Sequence, residues 1–313
     1  MTVPLITLGV TCYNAVDTIA RAILSASRQD WPNKEIIIVD DASTDTSRAA
    51  IEEFVGCDPT IRVIQHPVNR GLAGALNTIV NEARGEFIAF FDDDDESVPE
   101  RLEAQWSRIV KYERANGCKL VLCYSNRNVV RRGGDRPHHI ARAIGRQEPE
   151  PHGPIVADYL LGLGRDRQFA WGLFGSCTLM ARRETFLGVG PFDETFRSCA
   201  EWDFAIRAAF MGTHFIAVDK PLVTTYKTAG ADKAGNVPLK FALQLRTKYK
   251  DYLSQRHAYW SSRAIAFHNF YGSKGRKWRS RAYLGLACLA SPFFLYDRLS
   301  SRIRPGFFRS VQP

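Results

Sequence analysis

The sequence contains no hydrophobic run long enough to span a lipid bilayer. Its longest predominantly apolar stretch, residues 283–296, covers 14 residues and includes Pro292. A membrane-spanning helix needs about 20 apolar residues. The first ten residues carry no basic segment, so they do not resemble a secretory signal peptide. We therefore expect a cytoplasmic protein.

Cysteine pairs with regular spacing are also missing. The seven cysteines are scattered along the chain and include no C-x-x-C pair. Disulfide frameworks and cysteine zinc sites both depend on such spacing. We expect free thiols in a reducing compartment and no structural zinc.

No G-x-G-x-x-G motif follows the first predicted strand, which covers Leu5 to Val10. This motif shapes the tight turn that carries the pyrophosphate in classical dinucleotide sites. Its absence argues against a dinucleotide-dependent oxidoreductase.

Acidic residues are almost absent from the C-terminal quarter of the chain. Residues 239–313 contain fifteen Lys or Arg against two Asp or Glu, whereas residues 1–238 contain 27 against 31. Aromatic residues such as Trp260 and Trp278 are interleaved with these basic residues. Basic and aromatic segments are typical of proteins that bind an anionic membrane surface. We favour that partner over plainly solvated helices, and we expect no nucleic acid partner.

The first 95 residues alternate short apolar runs with amphipathic segments. Strands are predicted at 5–10, 35–39, 61–65 and 87–91, with helices at 18–27, 47–54 and 72–83 between them. This alternation predicts an α/β fold, a Rossmann-like and mainly parallel sheet flanked by helices. Polar clusters follow three of the strands, and the carboxyl ends of parallel strands form one crevice where ligands bind. We expect these clusters to converge there.

The second half of the chain has a less regular pattern. A helix is predicted at 99–114, a strand at 120–124, a strand and helix at 175–186, a helix at 200–212, and strands at 215–218 and 222–226. Residues 131–154 are rich in Gly, Pro and charge and predict a long mobile loop or disorder.

Four consecutive aspartates, Asp92 to Asp95, follow the fourth predicted strand. Acidic residues favour the start of a helix, and a helix is predicted from Pro99, but one or two would suffice for that purpose. Mg²⁺ and similar cations bind carboxylates together with substrate phosphates. In an extended backbone alternate side chains share a face. Asp92 and Asp94 would therefore bind a cation together while Asp93 points away.

Two further aspartates, Asp40 and Asp41, follow the second predicted strand. Either a cap for the helix at 47–54 or a hydrogen-bonding site for a ribose or base is consistent with this position.

Several separate segments make the chain resemble the family 2 glycosyltransferases. They occur in the family's order between residues 7 and 212 and read "TLGVTCYNAVDT", "EIIIVDDASTD", "NRGLAGALNTI", "FIAFFDDDD", "VPERL", "GVGPFDE" and "EWDFAIRAAFMG". The resemblance implies a GT-A fold and an inverting transfer of a sugar from a nucleotide-diphospho-sugar, with Mn²⁺ or Mg²⁺ as the cofactor.

Carried over motif by motif, the resemblance also implies roles for individual residues. The nucleotide is assigned to Thr11, Tyr13, Asn14, Asp40, Asn69, Arg70, Gly71, Asp92 and Asp93. The metal is assigned to Asp94, as the direct ligand, and to Asp92. We assign the donor sugar or the acceptor to Asp95, Trp171, Trp202 and Lys227.

The catalytic base falls on Glu201, with Asp203 as the weaker candidate. Relatives carry a pair of acids before the W-D-x-x-x-R helix, whereas this chain has Ala200 followed by Glu201. The alternative for Glu201 is a purely structural residue at a helix start. Relatives also often carry a histidine shortly after the residue matching Tyr226; here Lys227, or Lys233, would have to meet the diphosphate instead.

These observations predict a metal-assisted inverting glycosyltransferase that uses a UDP-sugar donor and a glycan or lipid-linked acceptor at the inner face of the cell membrane. The predicted catalytic domain is 1–238, with a nucleotide-binding half at about 1–98 and an acceptor half at about 99–238; a basic helical extension covers 239–313. Two alternatives are a nucleotidyltransferase and a catalytically silent nucleotide-sugar-binding relative. The first lacks its usual Gly-rich basic loop here, and Ala200 keeps the second open.

Overall fold

The first four strands run parallel and are joined by helices. The computed structural model describes residues 3–131, 133–134, 136–227 and 235–291. The elements in the first part of the chain are β1 Ile6–Cys12, α1 Ile19–Ser27, β2 Lys34–Asp40, α2 Ser47–Val55, β3 Ile61–Gln65, α3 Gly71–Glu82 and β4 Phe87–Asp92. All seven residues of β1 are buried, as expected for a central parallel strand that is covered on both faces.

The second part of the chain adds five strands to the same sheet. It comprises β5 Asp95–Ser97, α4 Arg101–Asn116, β6 Val121–Val130, β7 Pro137–Ala141, a 3₁₀ turn at Ser176–Thr178, β8 Met180–Arg182, α6 Arg183–Val189, α7 Ala200–Phe210 and β9 His214–Tyr226. The strand order is β3-β2-β1-β4-β8-β6-β9-β5, with β7 beside β6. Strands β5, β7 and β8 pair antiparallel to their neighbours. The sheet is thus mixed but mainly parallel around β1.

The segment 131–154 is not the structureless loop that its composition predicts. Its described residues include β7, which pairs with β6, and His152 forms an isolated bridge with His214. The His152 and His214 rings stack with their centroids 4.4 Å apart. The two strands predicted at 215–218 and 222–226 form one strand, β9, whose pairing with β6 shifts register near Asn126. Both β7 and the single long β9 form because they pair with β6, which is distant in the sequence. The local composition of a segment does not indicate such long-range pairing.

The chain divides into two compact units. The first comprises residues 1–153 and 168–228 and holds the sheet; the second comprises 154–167 and 229–313. The division differs from the predicted boundary at 238 and assigns 154–167 to the second unit. Lys233 and the basic tail beyond residue 291 lie outside the described residues.

The second unit is helical. It contains α5 Pro154–Leu161, α8 Val237–Lys248, α9 Lys250–Gln255, α10 Tyr259–Ser273 and α11 Lys277–Ala290. Phe267 of α10 stacks on Tyr283 of α11 at 4.6 Å, and Ser262 donates a hydrogen bond to the carbonyl oxygen of Leu161 at 2.5 Å. None of the helices in the described ranges combines the length and apolar character that crossing a membrane requires.

Candidate active site

The register of the sheet brings the predicted polar clusters together. Thr11 of β1 lies opposite Asp92 of β4, and Cys12 lies opposite Asp40 of β2. Because β1, β2 and β4 are parallel, their carboxyl ends meet at the same edge. The predicted convergence of these clusters is confirmed.

The four aspartates do not form one extended segment. Asp92 ends β4, Asp93 and Asp94 occupy a turn, and Asp95 begins β5. The alternation of side chains between two faces applies only to extended backbone. The expectation that Asp92 and Asp94 share a face while Asp93 points away is therefore wrong in its premise, although their roles toward a metal stay predictions.

Three potential metal ligands converge around Asp92. Its carboxylate, that of Asp95 and the thiol of Cys177 place ligand atoms within 4.8 Å of one another. Asp95 is buried, and its Oδ1 atom accepts no hydrogen bond from the part of the chain that the structure describes. Two carboxylates, one with such a buried oxygen, fit a divalent cation that also binds a phosphate. Asp94 lies outside this group, is half-buried, and accepts a hydrogen bond from Arg21 Nη2 at its backbone oxygen, 2.9 Å away.

Burial disfavours the charged form of three carboxylates in this acidic turn, defined as Asp92 to Asp95, and repulsion between neighbouring charges adds to the effect. Burial, followed by the charges of Asp95 and Glu201, raises the pKa of Asp92 well above its usual range. Burial also raises the pKa of Asp93 to about 7 and, with Asp94, that of Asp95 to about 6. Each shift means that the charged form is disfavoured in the folded protein. A positive ligand would relieve this cost.

Two arginines that the sequence analysis did not identify lie behind the acidic turn. Arg101 is fully buried and donates hydrogen bonds to Gln105 Oε1, Ser97 Oγ and Phe90 O, each at 2.9 Å. Burial lowers its pKa to about 10, and Asp95 and Asp92 are among the groups that oppose this shift. Arg127 of β6 approaches Cys177 Sγ to 3.1 Å. A basic residue in the first turn of a helix, where acids are favoured, was the available signal for Arg101.

The loop between β1 and α1 is held by side chains from neighbouring loops. The amide of Tyr13 donates to Asp93 Oδ2 at 3.0 Å, and that of Asn14 donates to Ser43 Oγ at 3.0 Å. Asn14 adopts a positive φ of 51°, and its Oδ1 accepts the amide hydrogen of Thr44 at 2.7 Å. The side chain of Tyr13 is about half exposed at 47%, so its ring is accessible to a ligand.

The two aspartates after β2 have different contacts. Asp40 is fully buried; its Oδ1 accepts the amide of Ser43 at 3.0 Å, whereas Oδ2 has no partner among the described residues. Asp41 accepts the amides of Arg70 at 2.8 Å and Gly71 at 2.7 Å. It also bonds His66 Nδ1 at 2.7 Å, a buried histidine that the sequence analysis missed. Asp40 therefore has an unsatisfied buried acceptor, whereas Asp41 fixes the start of α3.

The predicted nucleotide residues at the start of α3 are engaged with the segment before α7. Asn69 Oδ1 accepts a hydrogen bond from Arg197 Nη1 at 2.6 Å, and Arg70 donates two hydrogen bonds to Glu194, at 3.1 and 2.6 Å. Gly71 has a φ of 76°, a conformation that favours glycine, and a Cβ there would displace the Arg197 guanidinium, whose Nη1 would lie 2.7 Å away. Direct contact of these residues with a nucleotide stays a prediction.

The two candidate bases have different environments. Glu201 is half-buried in the first turn of α7, and its Oε1 accepts the amide of Ser176 at 2.8 Å. The Ser176 hydroxyl donates to Asp92 Oδ1 at 3.4 Å, so one residue bridges Glu201 and the acidic turn. Asp203 is fully buried and bonds Arg207 Nε at 2.9 Å. A buried carboxylate paired with a guanidinium is less suited to deprotonate an acceptor, so these contacts favour Glu201 over Asp203, and both assignments stay predictions.

The remaining predicted residues lie on separate elements. Trp202 is half-buried next to Glu201, and Trp171 is half-buried with its carbonyl oxygen accepting a hydrogen bond from Arg146 at 2.8 Å. Lys227 is exposed, and its amide donates to Val130 O at 3.0 Å. Their contacts with a donor sugar or an acceptor stay predictions.

Comparisons with known proteins identify the family of this chain. The model of the family described as "Glycosyl transferase family 2" matches residues 7–166. The amylovoran biosynthesis glycosyltransferase AmsB of Erwinia amylovora is 26% identical over 256 residues, which are 80% of this chain and 79% of AmsB. WfgD of Escherichia coli, named as a UDP-Glc:alpha-D-GlcNAc-diphosphoundecaprenol beta-1,3-glucosyltransferase, is 37% identical over 34% of this chain and only 42% of its own length.

The fold has a counterpart among solved structures. Residues 1–349 of S. aureus TarS, crystallised in complex with UDP-GlcNAc, superpose with a TM-score of 0.61 at 19% identity, covering 91% of this chain and 81% of that one. The predicted fold class, a mainly parallel sheet flanked by helices with a C-terminal helical extension, is confirmed.

Replacing Asp92 by asparagine should stabilise the metal-free protein. Because the folded-state pKa of Asp92 is raised, its ionisation destabilises the fold increasingly as pH rises through that pKa. We expect Asp92→Asn to melt on the order of 2–4 °C higher than the wild type near neutral pH in the presence of a chelator. The advantage should shrink as the pH is lowered, because the wild-type carboxyl then takes up a proton.

Differential scanning fluorimetry across pH measures this difference. Asp58→Asn is the matched control, because hydrogen bonds from Thr60 lower the pKa of Asp58 and its removal should bring no gain. An unchanged or lower melting temperature for Asp92→Asn would contradict a raised pKa of Asp92 in the folded protein.

Proposed function

This chain belongs to glycosyl transferase family 2, and from that premise we propose that it transfers a sugar with inversion from a UDP-sugar to a hydroxyl of a glycan or lipid-linked acceptor. The observation that carries the proposal is the hydrogen-bonded chain from Glu201 through Ser176 to Asp92. It holds a candidate base beside the carboxylates that suit a metal–diphosphate group. The product would enter a polysaccharide or glycoconjugate.

The Oδ2 atom of Asp40 supports a nucleotide donor. A buried hydrogen-bond acceptor without a partner among the described residues costs free energy, which a ligand that donates a hydrogen bond can recover. The imino group of uracil can donate such a hydrogen bond. The exposed ring of Tyr13 lies one loop away, where an aromatic face suits a base. WfgD is named for a UDP-sugar donor, which is consistent with UDP here.

Glu201 would act as the base of the transfer. Inversion requires a group that takes the proton from the acceptor hydroxyl as it attacks the anomeric carbon. The hydrogen bond from the Ser176 amide to Oε1 orients the carboxylate of Glu201 and leaves Oε2 for the acceptor. Asp92, with Asp94 or Asp95, would hold Mn²⁺ or Mg²⁺, which supplies charge neutralisation for the departing diphosphate.

The two alternatives receive less support. A nucleotidyltransferase usually carries a Gly-rich basic loop after its first strand, which this chain lacks. A catalytically silent sugar-binding relative remains the second candidate, because Ala200 replaces the first acid of the usual pair. Turnover separates these functions.

Nucleoside diphosphates with Mn²⁺ should stabilise the protein in a base-dependent way. We expect the largest thermal shift with UDP, smaller shifts with GDP and dTDP, and about 2–3 kcal/mol of stabilisation at a hundredfold excess over the dissociation constant. If Asp94 is a metal ligand, Asp94→Ala should abolish the Mn²⁺-dependent part of the thermal shift. If the group of Asp92, Asp95 and Cys177 binds the ion instead, Cys177→Ala should abolish it.

Thermal shifts with and without Mn²⁺ measure both effects, and Asp58→Ala is the control for loss of an aspartate. Equal stabilisation of all variants with or without Mn²⁺ would refute the metal role.

Glu201→Gln should lower turnover of UDP-sugars by about 10²- to 10⁴-fold, the usual contribution of a general base. The amide of glutamine still accepts the Ser176 hydrogen bond but cannot take a proton. UDP release from UDP-glucose, UDP-galactose and UDP-N-acetylglucosamine measures turnover, and calorimetry with UDP should give unchanged affinity. Asp58→Asn, a carboxylate variant in the turn between α2 and β3, is the control. Turnover at the wild-type rate in Glu201→Gln would rule out Glu201 as the base.

An anionic membrane surface is the proposed partner of the second unit. Trp260 and Trp278 are 70% and 71% exposed, and Leu289 is 83% exposed. The helices that carry them, α10 and α11, also contain basic residues, including Arg263 and Lys277. Indole rings suit the headgroup region of a bilayer, and basic residues are attracted to anionic lipids. This partner would place the enzyme at the inner face of the cell membrane, where a lipid-linked acceptor is found.

The 313-residue chain should sediment with phosphatidylglycerol vesicles and not with pure phosphatidylcholine vesicles. The binding should weaken with salt, because the Debye length falls to about 3 Å at 1 M. Trp260→Ser combined with Trp278→Ser should reduce the bound fraction. Leu187→Ser combined with Met211→Ser, which alters exposed apolar residues of the first unit, is the control. Equal binding of the wild type and the double tryptophan variant would refute the role of these residues.

A further inference from the structure

Two polar contacts join the start of α3 to the segment that precedes Glu201. Arg70 and Glu194 form a bidentate pair, with hydrogen bonds of 3.1 and 2.6 Å. Arg197 donates one hydrogen bond to Asn69 Oδ1, at 2.6 Å, and another to Asn69 O, at 3.2 Å. Bidentate guanidinium contacts fix orientation as well as distance. The segment 194–197 is therefore held in a defined position against the start of α3.

The start of α3 is in turn fixed to the nucleotide end of the sheet. Asp41, next to Asp40, accepts the amides of Arg70 and Gly71 with its two carboxylate oxygens. The carbonyl oxygen of Asp41 also accepts a hydrogen bond from Asn69 Nδ2 at 3.2 Å. A displacement of the loop at Asp40–Asp41 would therefore also move Asn69 and Arg70.

Residues 191 and 192, which lie just before this segment, are fixed to α3 and α7. Asn77 of α3 exchanges two hydrogen bonds with the backbone of Phe192, at 2.9 and 2.7 Å. The Phe192 ring stacks on Phe204 of α7 with centroids 4.4 Å apart. Arg207 of α7 donates to the carbonyl oxygen of Pro191 at 2.7 Å. These contacts leave residues 198–200 as the short connection to Glu201.

That connection has an unusual backbone. Cys199 adopts a φ of 72°, a left-handed conformation that costs free energy for a residue other than glycine and persists only where neighbouring contacts impose it. Arg197 lies two residues before Cys199, and Glu201 lies two residues after it. The anchor at Arg197 therefore helps to set the direction in which α7 begins.

We propose that Glu194 and Arg197 are positioning residues, which fix Glu201 relative to the nucleotide-binding end of the sheet through their contacts with Arg70 and Asn69. The inference rests on the proposed function, because it acts through Glu201 as the base. It goes beyond that function by assigning a catalytic consequence to the ion pair of Arg70 with Glu194. Loss of the pair would leave the donor site formed and the base misplaced.

The test combines Glu194→Gln and Arg197→Met with Glu201→Gln. Each single positioning variant should lower kcat for UDP release from a UDP-sugar by about tenfold or more, because small misplacements of a catalytic group are costly. The dissociation constant for UDP, measured by calorimetry, should change less than about twofold, because Asp40, Asn69 and Arg70 are themselves unchanged and Asp41 still fixes the start of α3. In the Glu201→Gln background, Glu194→Gln should cause no further loss, because a residue acting through the base has nothing left to position.

Glu82→Gln is the matched control, because the ion pair of Arg62 with Glu82 lies at the other end of α3. The side chains of this pair are 34% and 48% exposed, comparable to 39% and 36% for Arg70 and Glu194. It should leave kcat unchanged. Losses that add fully in the Glu201→Gln background, a parallel loss of UDP affinity, or an unchanged kcat in Glu194→Gln would overturn the positioning role alone. Full turnover by Glu201→Gln would overturn the proposed base, and this inference with it.

Discussion

The cost of burying neighbouring carboxylates at the end of β4 is the constraint around which this candidate active site is arranged. Asp92, Asp93 and Asp95 all have raised pKa values, with burial as the leading cause. Donors from distant parts of the chain offset the cost: the amide of Tyr13 on Asp93, the hydroxyl of Thr225 on Asp95 at 3.0 Å, and the hydroxyl of Ser176 on Asp92. Each donor reduces the cost of one charge without removing it. The turn is therefore retained as an acidic site at the expense of stability, as is common at functional sites.

The parts of the fold that could be predicted from the sequence are those set by local periodicity. The four parallel strands and their helices are marked by unbroken apolar runs with polar clusters at their ends, because a buried parallel sheet is covered on both faces. The β7 strand and the single long β9 were not predictable in this way, because β6 imposes both through long-range pairing. The meeting of the clusters at one edge followed from the parallel topology alone.

The sequence could not distinguish the roles of neighbouring site residues, because those roles depend on partners from distant parts of the chain. Asp40 and Asp41 are adjacent and chemically identical, and only their partners, Ser43 for one and the amides of Arg70 and Gly71 for the other, distinguish them. Cys177 approaches Asp92 from a separate part of the chain. Arg101 was missed although it lies in the first turn of α4, because a basic residue of an amphipathic helix usually lies on its exposed face, whereas Arg101 is fully buried behind the acidic turn.

The departure at Ala200 has a consistent physical explanation in the contacts of α7. Ala200 is buried, so an acid at this position would face the same desolvation that already raises the pKa values of the acidic turn. The two acids in the first turn of α7 have different contacts. Asp203 pairs with Arg207, which also donates to the carbonyl oxygens of Val189 and Pro191, so this pair ties α7 to the preceding segment. Glu201 is partly exposed, and the hydrogen bond from the Ser176 amide orients its carboxylate. These two features suit Glu201 to act as a base without a second acid beside it.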